Sequence, residues 1–399
     1  MRPSRRVSAL AFSTTLALDA RAKELAAAGR DIINMSVGEP DFAAPTCVRE
    51  AASKKVLSGE VRYTPAEGTL SLRKAIAARL THTRGIAFTE QEIAVCHSAK
   101  HALSGACLSL IEPGDEVLLL LPAWVSYDEI VLFAGGKPVS VPSRKDCGPD
   151  LAAIERAITK KTRGIILNSP CNPSGYVLTQ AEVRAIGALA EKHDLWIVSD
   201  EIYRRLVYEG EPDFSPAQVS PAVRARTVIV DGASKAFAMT GYRIGYAAAP
   251  SPIAAAIARL HSQLTGCPNA VSQAAFESAL VKEPPEVAAM VAEFDRRRRV
   301  LVDGLTKIGL EVPWPRGAFY AFPNVSPWID ERGSAGFCDD LLVQQNLAVV
   351  PGSAFGVDDH VRLSYATSIE NIQRALERLG AFLAIRKRSS ESTRLARRS

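Results

Sequence analysis

The sequence has few of the features that mark membrane, disulfide-stabilised or secreted proteins. No apolar run reaches the length of a transmembrane helix, and the basic start, 1–6, is not followed by a convincing signal sequence. The seven cysteines form no Cys-x-x-Cys pair, and their odd number argues against a disulfide framework. The sequence therefore predicts a soluble, cytoplasmic protein with no membrane partner.

Histidines are also few, and no pair of them indicates a metal site. His97 and His101 stand four positions apart, but no carboxylate or third ligand lies near them in the sequence. We interpret both as residues at the start of a helix. The sequence predicts no bound metal.

The excess of positive charge is confined to the carboxyl end. The segment 386–399 contains six basic residues and one acidic residue, so its net charge of +5 equals that of the whole chain. Such a basic, serine-rich segment predicts a disordered, solvated tail. We expect no nucleic-acid partner.

Strand-like runs alternate with helical stretches between Ile93 and Ala249, which predicts an α/β fold. We expect a mostly parallel, seven-stranded sheet in a large domain, 45–284, with helices on both faces. A long helix at 285–308 then leads into a smaller α+β domain, 285–385.

A lysine and an arginine lie eight positions apart in the segment 231–246. This segment follows the apolar run 227–230, so Lys235 stands just past a strand end, where open α/β sheets bind ligands. The lysine can form a Schiff base with an aldehyde, and Arg243 can hold a phosphate group. If Lys235 stood alone, a surface position beside an ordinary strand would be the better interpretation.

Two other polar residues precede Lys235 in similar settings. Asp200 follows the apolar run 195–198, which places a carboxylate at the end of a buried strand. Asn172 stands in a turn that two prolines and a glycine make rigid. A helix N-cap is the alternative for Asp200, but its place 35 residues before Lys235 favours a role in the same site.

Three more elements fit a phosphate and carboxylate site. Ser98, Ala99 and Lys100 stand between a predicted strand and a helix, where backbone N–H groups and the helix dipole attract phosphate. Trp124 follows a strand and either packs in the core or forms a platform for a ring. Arg362 lies on a short predicted strand and either faces solvent or binds a carboxylate.

Together these elements resemble the fold-type-I enzymes that use pyridoxal 5'-phosphate (PLP), specifically the class I aminotransferases, and most closely their bacterial aspartate aminotransferase branch. The resemblance extends from about Ser13 to Leu383, with its elements in family order. It adds an early turn at Gly38 and a segment around Tyr63, and it places the amino-terminal segment, 1–44, with the small domain. The resemblance implies a three-layer αβα PLP-binding domain.

The family assigns roles to these positions. Lys235 is implied as the catalytic residue that holds PLP as a Schiff base, and Arg362 as the residue that binds the substrate α-carboxylate. The other implied cofactor contacts are Ser98, Ala99, Lys100, Trp124, Asn172, Asp200, Tyr203 and Arg243, with Tyr63 acting in the neighbouring subunit of a homodimer. The other implied substrate contacts are Gly38, Trp124, Asn172 and Lys100.

The implied reaction moves an amino group from an L-amino acid to 2-oxoglutarate by a ping-pong mechanism. Aspartate is the expected donor, and Lys100, aided by Thr15, is the expected partner of its distal carboxylate. Alanine, aromatic amino acids and prephenate remain alternatives, and Ala11 places prephenate below aspartate. A PLP-dependent carbon–sulfur lyase is a second alternative. An aminotransferase-like transcription regulator is disfavoured because too few residues precede Gly38 to form a DNA-binding domain.

Overall fold

A seven-stranded sheet forms the centre of the structure, a computed structural model that describes residues 1–12, 14–210 and 214–396. The strands of the chain are β1 Ile33–Asn34, β2 Ile93–Cys96, β3 Glu116–Leu120, β4 Lys137–Val141, β5 Thr162–Asn168, β6 Trp196–Asp200, β7 Thr227–Gly232, β8 Gly245–Ala248, β9 Tyr320–Ala321, β10 Leu347–Ala348, β11 Val350–Pro351 and β12 Val361–Ser364. The central sheet has the order β2-β8-β7-β6-β5-β3-β4. Only β8 runs antiparallel to its neighbours, so the predicted mostly parallel sheet is confirmed.

Helices cover both faces of this sheet. They are α1 Arg5–Ser8, α2 Thr14–Ala27, α3 Thr46–Leu57, α4 Leu70–Arg84, α5 Ala99–Leu110, α6 Ser126–Phe133, α7 Leu151–Ala157, α8 Gln180–Lys192, α9 Pro221–Arg224, α10 Ala233–Ala236, α11 Ser251–Leu264, α12 Ala270–Lys282, α13 Glu286–Lys307, α14 Gly333–Gln345 and α15 Ile369–Ala396. Successive residues of a strand point to opposite faces. In β7, Ile229 packs with α3, α4 and α12, whereas Val228 and Val230 pack with α5, α6 and α11. This alternation produces the three predicted layers.

A smaller α+β unit follows the long helix α13. Its antiparallel strands have the order β11-β12-β9, and Phe294 and Leu301 of α13 share its apolar core with Phe337 of α14 and Phe382 of α15. Strand β1 pairs with β10, with Ile33 opposite Leu347. This pairing supports the proposed domain boundaries, in which 1–44 joins the small unit at 285–385.

The carboxyl end differs from the expectation of disorder. Helix α15 continues as far as Ala396, and 397–399 lie outside the described residues. After Gly380 the segment contains no proline or glycine, and its Ala, Leu, Arg, Lys and Glu residues are good helix formers. Because the helix is already nucleated upstream, propagation through such residues is easy. In the described part of the chain, no helix is both long and apolar enough to cross a membrane.

Candidate active site

The carboxyl ends of the parallel strands border a cavity of about 480 Å³. Asn168 and Asp200 end β5 and β6 side by side, and the short helix with Lys235 follows β7. This is the edge of an open α/β sheet at which ligands bind. The cavity brings together eleven of the residues predicted from the sequence, namely Gly38, Ser98, Ala99, Lys100, Trp124, Asn172, Asp200, Tyr203, Lys235, Arg243 and Arg362.

Tyr63 is the exception. Its side chain is 97% exposed, and it does not line the cavity of its own chain. The neighbouring Thr64 contacts the segment that follows α11, because its backbone N–H donates to Cys267 Sγ at 3.4 Å. Tyr63 is therefore free to project towards another subunit.

The Lys235 amine is desolvated inside the cavity. Its Nζ donates a hydrogen bond to the carbonyl oxygen of Gly38. Burial lowers the pKa of Lys235 to about 8, although the charge of Glu39 acts in the opposite direction. A lysine with a depressed pKa has an appreciable fraction of neutral amine near physiological pH, and only the neutral form is a nucleophile.

Asp200 is a buried carboxylate that faces the same cavity. Burial raises its pKa to about 6, while the hydroxyl of Tyr127 and the backbone N–H of Ile202 donate to its oxygens at 2.8 and 3.2 Å and favour the charged form. In the described chain Asp200 is followed directly by turns and not by a helix, so the N-cap interpretation is wrong. A desolvated carboxylate of this kind is stabilised by a cationic ligand group.

Arg362 is also buried rather than exposed to solvent. Its Nη1 donates to Asn172 Oδ1 at 2.9 Å and its Nη2 to the Ser36 carbonyl at 2.7 Å, while Nε has no partner. The guanidinium lies over the ring of Tyr320, 4.5 Å from its centroid. Among the described residues it forms no ion pair, and burial lowers its pKa. An unpaired buried guanidinium favours a carboxylate ligand.

Tyr203 lies beside this arginine. Its hydroxyl is 2.8 Å from that of Tyr320, and both rings are buried. The charge of Arg362 lowers the pKa of each hydroxyl, but burial is the larger effect and raises both. Both phenols therefore stay protonated, and the one that accepts in the bond between them can donate to a ligand oxygen.

The opposite end of the cavity is built on the start of α5. Ser98 is the N-cap residue, and its Oγ accepts from the backbone N–H of His101 at 3.3 Å. A Cβ added to Gly245 would lie 2.4 Å from the backbone nitrogen of Ala99, so only glycine lets β8 approach this turn. The remaining backbone N–H groups and Arg243 make a donor set suited to phosphate.

Ser98 itself adopts a backbone conformation that is unusual for a non-glycine residue. Its φ of 144° and ψ of 168° lie in a region that glycine occupies almost exclusively. The turn therefore follows a glycine-like path, and Ser98 carries the strain.

Lys100 lies where the cavity meets the amino-terminal segment. Its Nζ donates to Ser126 Oγ at 3.1 Å and sits 4.7 Å from the centre of the Trp124 ring. Burial, helped by the charge of Arg243, lowers the pKa of Lys100. Thr15 lines the same cavity.

These residues fit PLP in charge and in donor chemistry. The cavity offers an amine for an aldehyde, a carboxylate for a pyridine nitrogen, an aromatic side chain beside them and a helix N-terminus with an arginine for a phosphate. The chain matches the family of class I and II aminotransferases over residues 30–379. It belongs to that family. This aminotransferase is PLP-dependent, as its family is, and the family resemblance found in the sequence is confirmed.

Relatives of this aminotransferase agree with that membership. It is 42% identical over 385 residues to a probable aspartate/prephenate aminotransferase of Thermus aquaticus, covering 95% of this chain and 99% of the relative. It is 40% identical to an aspartate aminotransferase of Geobacillus stearothermophilus, covering 97% and 100%. The structure of aspartate aminotransferase from Thermus thermophilus with maleate matches it with a TM-score of 0.91 at 41% identity, covering 96% and 100%.

Sequence reasoning missed three residues that shape the site. They are Tyr127, which donates to Asp200, Tyr320, which contacts both Tyr203 and Arg362, and Ser36, whose carbonyl accepts from Arg362. Only the structure brings each of them to a partner, because the partners are remote in the chain. The proximity of Tyr127 to Trp124 was the one local signal.

Proposed function

We propose that this aminotransferase transfers the amino group of aspartate to 2-oxoglutarate. The observation that carries the proposal is that two cations of the cavity, Arg362 and Lys100, form no ion pair with a described carboxylate and are left over once Lys235 and Arg243 are assigned to the cofactor. Dicarboxylic substrates have one carboxylate for each cation. Because an unpaired buried charge is costly, a substrate that neutralises both cations is favoured over one that neutralises a single cation.

The roles of the residues follow from their chemistry. When bound, PLP supplies an aldehyde carbon that bonds to amines and a ring that withdraws electrons from the substrate α-carbon. Lys235 provides the amine that holds the cofactor, and once released it moves the α-proton as base and then as acid. Arg362 orients the α-carboxylate with its planar fork. Gly38 lines the same side of the cavity.

The cavity has a group for each end of the cofactor. Asp200 would pair with the protonated ring nitrogen, and Tyr203 and Asn172 would donate to the ring oxygen. Trp124 would pack against the ring, and Ser98, the backbone N–H groups of Ala99 and Lys100, and Arg243 would hold the phosphate. The carboxylate of Asp200 keeps the ring cationic, which maximises the withdrawal of electrons from the α-carbon.

We further propose a cytoplasmic homodimer with shared active sites. The support is the 97% exposure of Tyr63, which leaves its hydroxyl no role in the cavity of its own chain. In this assembly Tyr63 binds the cofactor phosphate of the partner subunit.

A panel of amino donors with 2-oxoglutarate tests the substrate assignment. In the Lys100→Ala variant, kcat/KM for aspartate should fall at least tenfold more than kcat/KM for alanine or phenylalanine. Lys23→Ala is the matched control, because Lys23 lines the same cavity but its amine is already paired with Asp19 at 2.7 Å. If kcat/KM falls equally for all donors, Lys100 contacts the cofactor or has a structural role and does not bind the distal carboxylate. The family assignment would not change.

Prephenate is the second candidate acceptor. Relatives at 42% and 43% identity carry the name aspartate/prephenate aminotransferase. Ala11 borders a second cavity together with Lys100 and supplies no charge there. Prephenate in place of 2-oxoglutarate therefore belongs in the same panel. Pyruvate and ammonia released from cysteine conjugates without any oxo acid would instead indicate the lyase alternative.

A further inference from the structure

A cysteine and two histidines meet outside the cofactor cavity. Cys96 ends β2, His101 lies in the first turn of α5 and His261 lies near the end of α11. Their ligand atoms all lie within 4.8 Å of one another. A separate cavity of about 20 Å³ lies between them, room enough for one ion or one water molecule.

His261 has unmet hydrogen-bonding capacity at this point. The residue is 1% exposed, and neither Nδ1 nor Nε2 has a hydrogen-bond partner among the described residues. The backbone groups of Ala66 and Val95 lie near the ring, but neither forms a well-aligned hydrogen bond with it. Because a neutral imidazole has one donor and one acceptor, leaving both unused in a buried ring is unfavourable. A ligand that binds one of the ring nitrogens would remove this unfavourable state.

The three side chains form a ligand set suited to a metal cation. Each imidazole has a ring nitrogen whose lone pair can bind a cation, and neither ring nitrogen of His261 is used by another described group. The thiol of Cys96 donates to the carbonyl oxygen of Ala94 at 3.6 Å, so metal binding has to displace the thiol proton.

The ligand atoms have to approach one another before they form a tetrahedral site. Zinc bond lengths of about 2.0–2.3 Å place ligand atoms roughly 3.3–3.6 Å apart, so ligand atoms that lie within 4.8 Å of one another need side-chain rotations to bind the ion. The ring of His97 lies beside the cluster, with its centre 5.2 Å from that of His261 and 5.7 Å from that of His101, and would have to rotate to supply a fourth ligand. The hydrogen bond from the His97 backbone N–H to His101 Nδ1 is long, at 3.4 Å, and is therefore weak enough to break when His101 binds a metal.

We propose that Cys96, His101 and His261 bind one zinc ion, with His97 completing a tetrahedral set. A thiolate with imidazoles selects zinc over hard cations such as magnesium and calcium. The ion would join β2, α5 and α11 directly behind Ser98 to Lys100. Since the backbone N–H of His101 also donates to Ser98 Oγ, zinc occupancy would stiffen the turn proposed to hold the cofactor phosphate.

The test uses the holoenzyme dialysed against micromolar zinc and then metal-free buffer, followed by elemental analysis and thermal denaturation. Wild type should retain one zinc per subunit and denature at a higher temperature when zinc is present. Cobalt substitution should give a thiolate charge-transfer band. Cys96→Ser, His101→Gln and His261→Gln should each weaken zinc binding at least tenfold, and Cys96→Ser should abolish the cobalt band.

Two variants serve as matched controls. Cys107→Ser removes another buried thiol, on α5, and His82→Gln removes an exposed histidine, so both should retain zinc as wild type does. Circular dichroism and the absorbance of bound PLP show whether each variant is folded. A folded wild-type protein that retains no zinc, or equal retention by wild type and the three cluster variants, would overturn the proposal.

Discussion

Tyr127 donates a hydrogen bond to Asp200 across 2.8 Å, and both groups are buried. Tyr127 belongs to α6 and Asp200 to the end of β6, so this bond joins a helix to the floor of the cavity. A hydrogen bond to a carboxylate favours its charged form. The hydroxyl therefore opposes the effect of burial, which raises the pKa of Asp200 to about 6.

Replacing Tyr127 by Phe should raise the pKa of Asp200 further. A smaller fraction of the carboxylate is then charged near neutral pH, so we expect PLP affinity to fall about tenfold, equivalent to about 1.4 kcal/mol. The loss should shrink as the pH rises. Titration of the apoenzyme with PLP between pH 6 and about 9 measures both effects.

Tyr246→Phe is the matched control for this variant. Tyr246 is another buried tyrosine that donates to an aspartate, Asp231, at 3.0 Å, but it does not line the cavity. A loss of PLP affinity in Tyr246→Phe as large as that in Tyr127→Phe would trace the effect to general destabilisation.

Replacing Lys235 should abolish catalysis but make the folded apoenzyme more stable. Lys235→Met should lack detectable transamination, because no other amine takes its place. In the apoenzyme the pKa of Lys235 falls from the ordinary 10.5 to about 8. Between pH 8 and pH 10.5 the folded state therefore binds fewer protons than the unfolded state. The penalty for burying the cation is therefore complete below pH 8 and is relieved as the pH rises towards 10.5.

The apoenzyme of Lys235→Met should consequently be more stable than wild type at pH 7, by about 1–3 kcal/mol. Urea unfolding of both apoproteins at neutral and alkaline pH measures this difference, which should decrease above pH 8. A constant difference across this range would show that the charge of Lys235 is not its source. Transamination by the variant at a rate near that of wild type would refute the assignment of Lys235 as the catalytic residue.

Ser98→Gly should stabilise the apoenzyme. Glycine relieves the backbone strain at φ 144°, which is of order 1–3 kcal/mol, whereas replacing a serine N-cap by glycine costs only a few tenths. Ser98→Ala is the comparison, since it keeps the strain and loses the cap, and it should be destabilised by about 1 kcal/mol. If thermal unfolding ranks Ser98→Gly at or below Ser98→Ala, Ser98 is not strained.

Strands such as β2, β3 and β7 were predictable from the sequence because each contains a short, buried apolar run. Asp200 and Lys235 were predictable for the same reason, since both stand next to such runs. The antiparallel direction of β8 could not be predicted, because an apolar run does not show in which direction its strand crosses the sheet. Helix α15 was underestimated at its end, where charged residues suggested disorder although their helix propensity is high.

Contacts between remote parts of the chain could not be predicted from one sequence. Tyr127 and Asp200 are 73 positions apart, and His101 and His261 are 160 apart. No local pattern links such pairs, because the fold alone decides which side chains meet. The close approach of Gly245 to the turn at Ser98 could not be predicted either, since it joins a remote strand to this turn.

Hybrid dimers test the proposed sharing of active sites. A Tyr63→Phe protomer combined with a Lys235→Ala protomer should give one site with both lesions and one site with neither, because Tyr63 serves the partner's cavity. Differently tagged subunits allow the hybrid to be isolated. We expect about half of the wild-type kcat per dimer, because only one of the two sites functions. That site should bind PLP with wild-type affinity, because it carries neither substitution.

The Tyr63→Phe homodimer supplies the reference for the hybrid. It should bind PLP more weakly than wild type, because each site loses a hydrogen bond to phosphate, which is worth about 1.5–3 kcal/mol when the partner is charged. If Tyr63 instead serves its own subunit, the only site with Lys235 also carries Phe at 63. The hybrid would then show the weak PLP affinity of that homodimer, and the proposal of shared sites would fail.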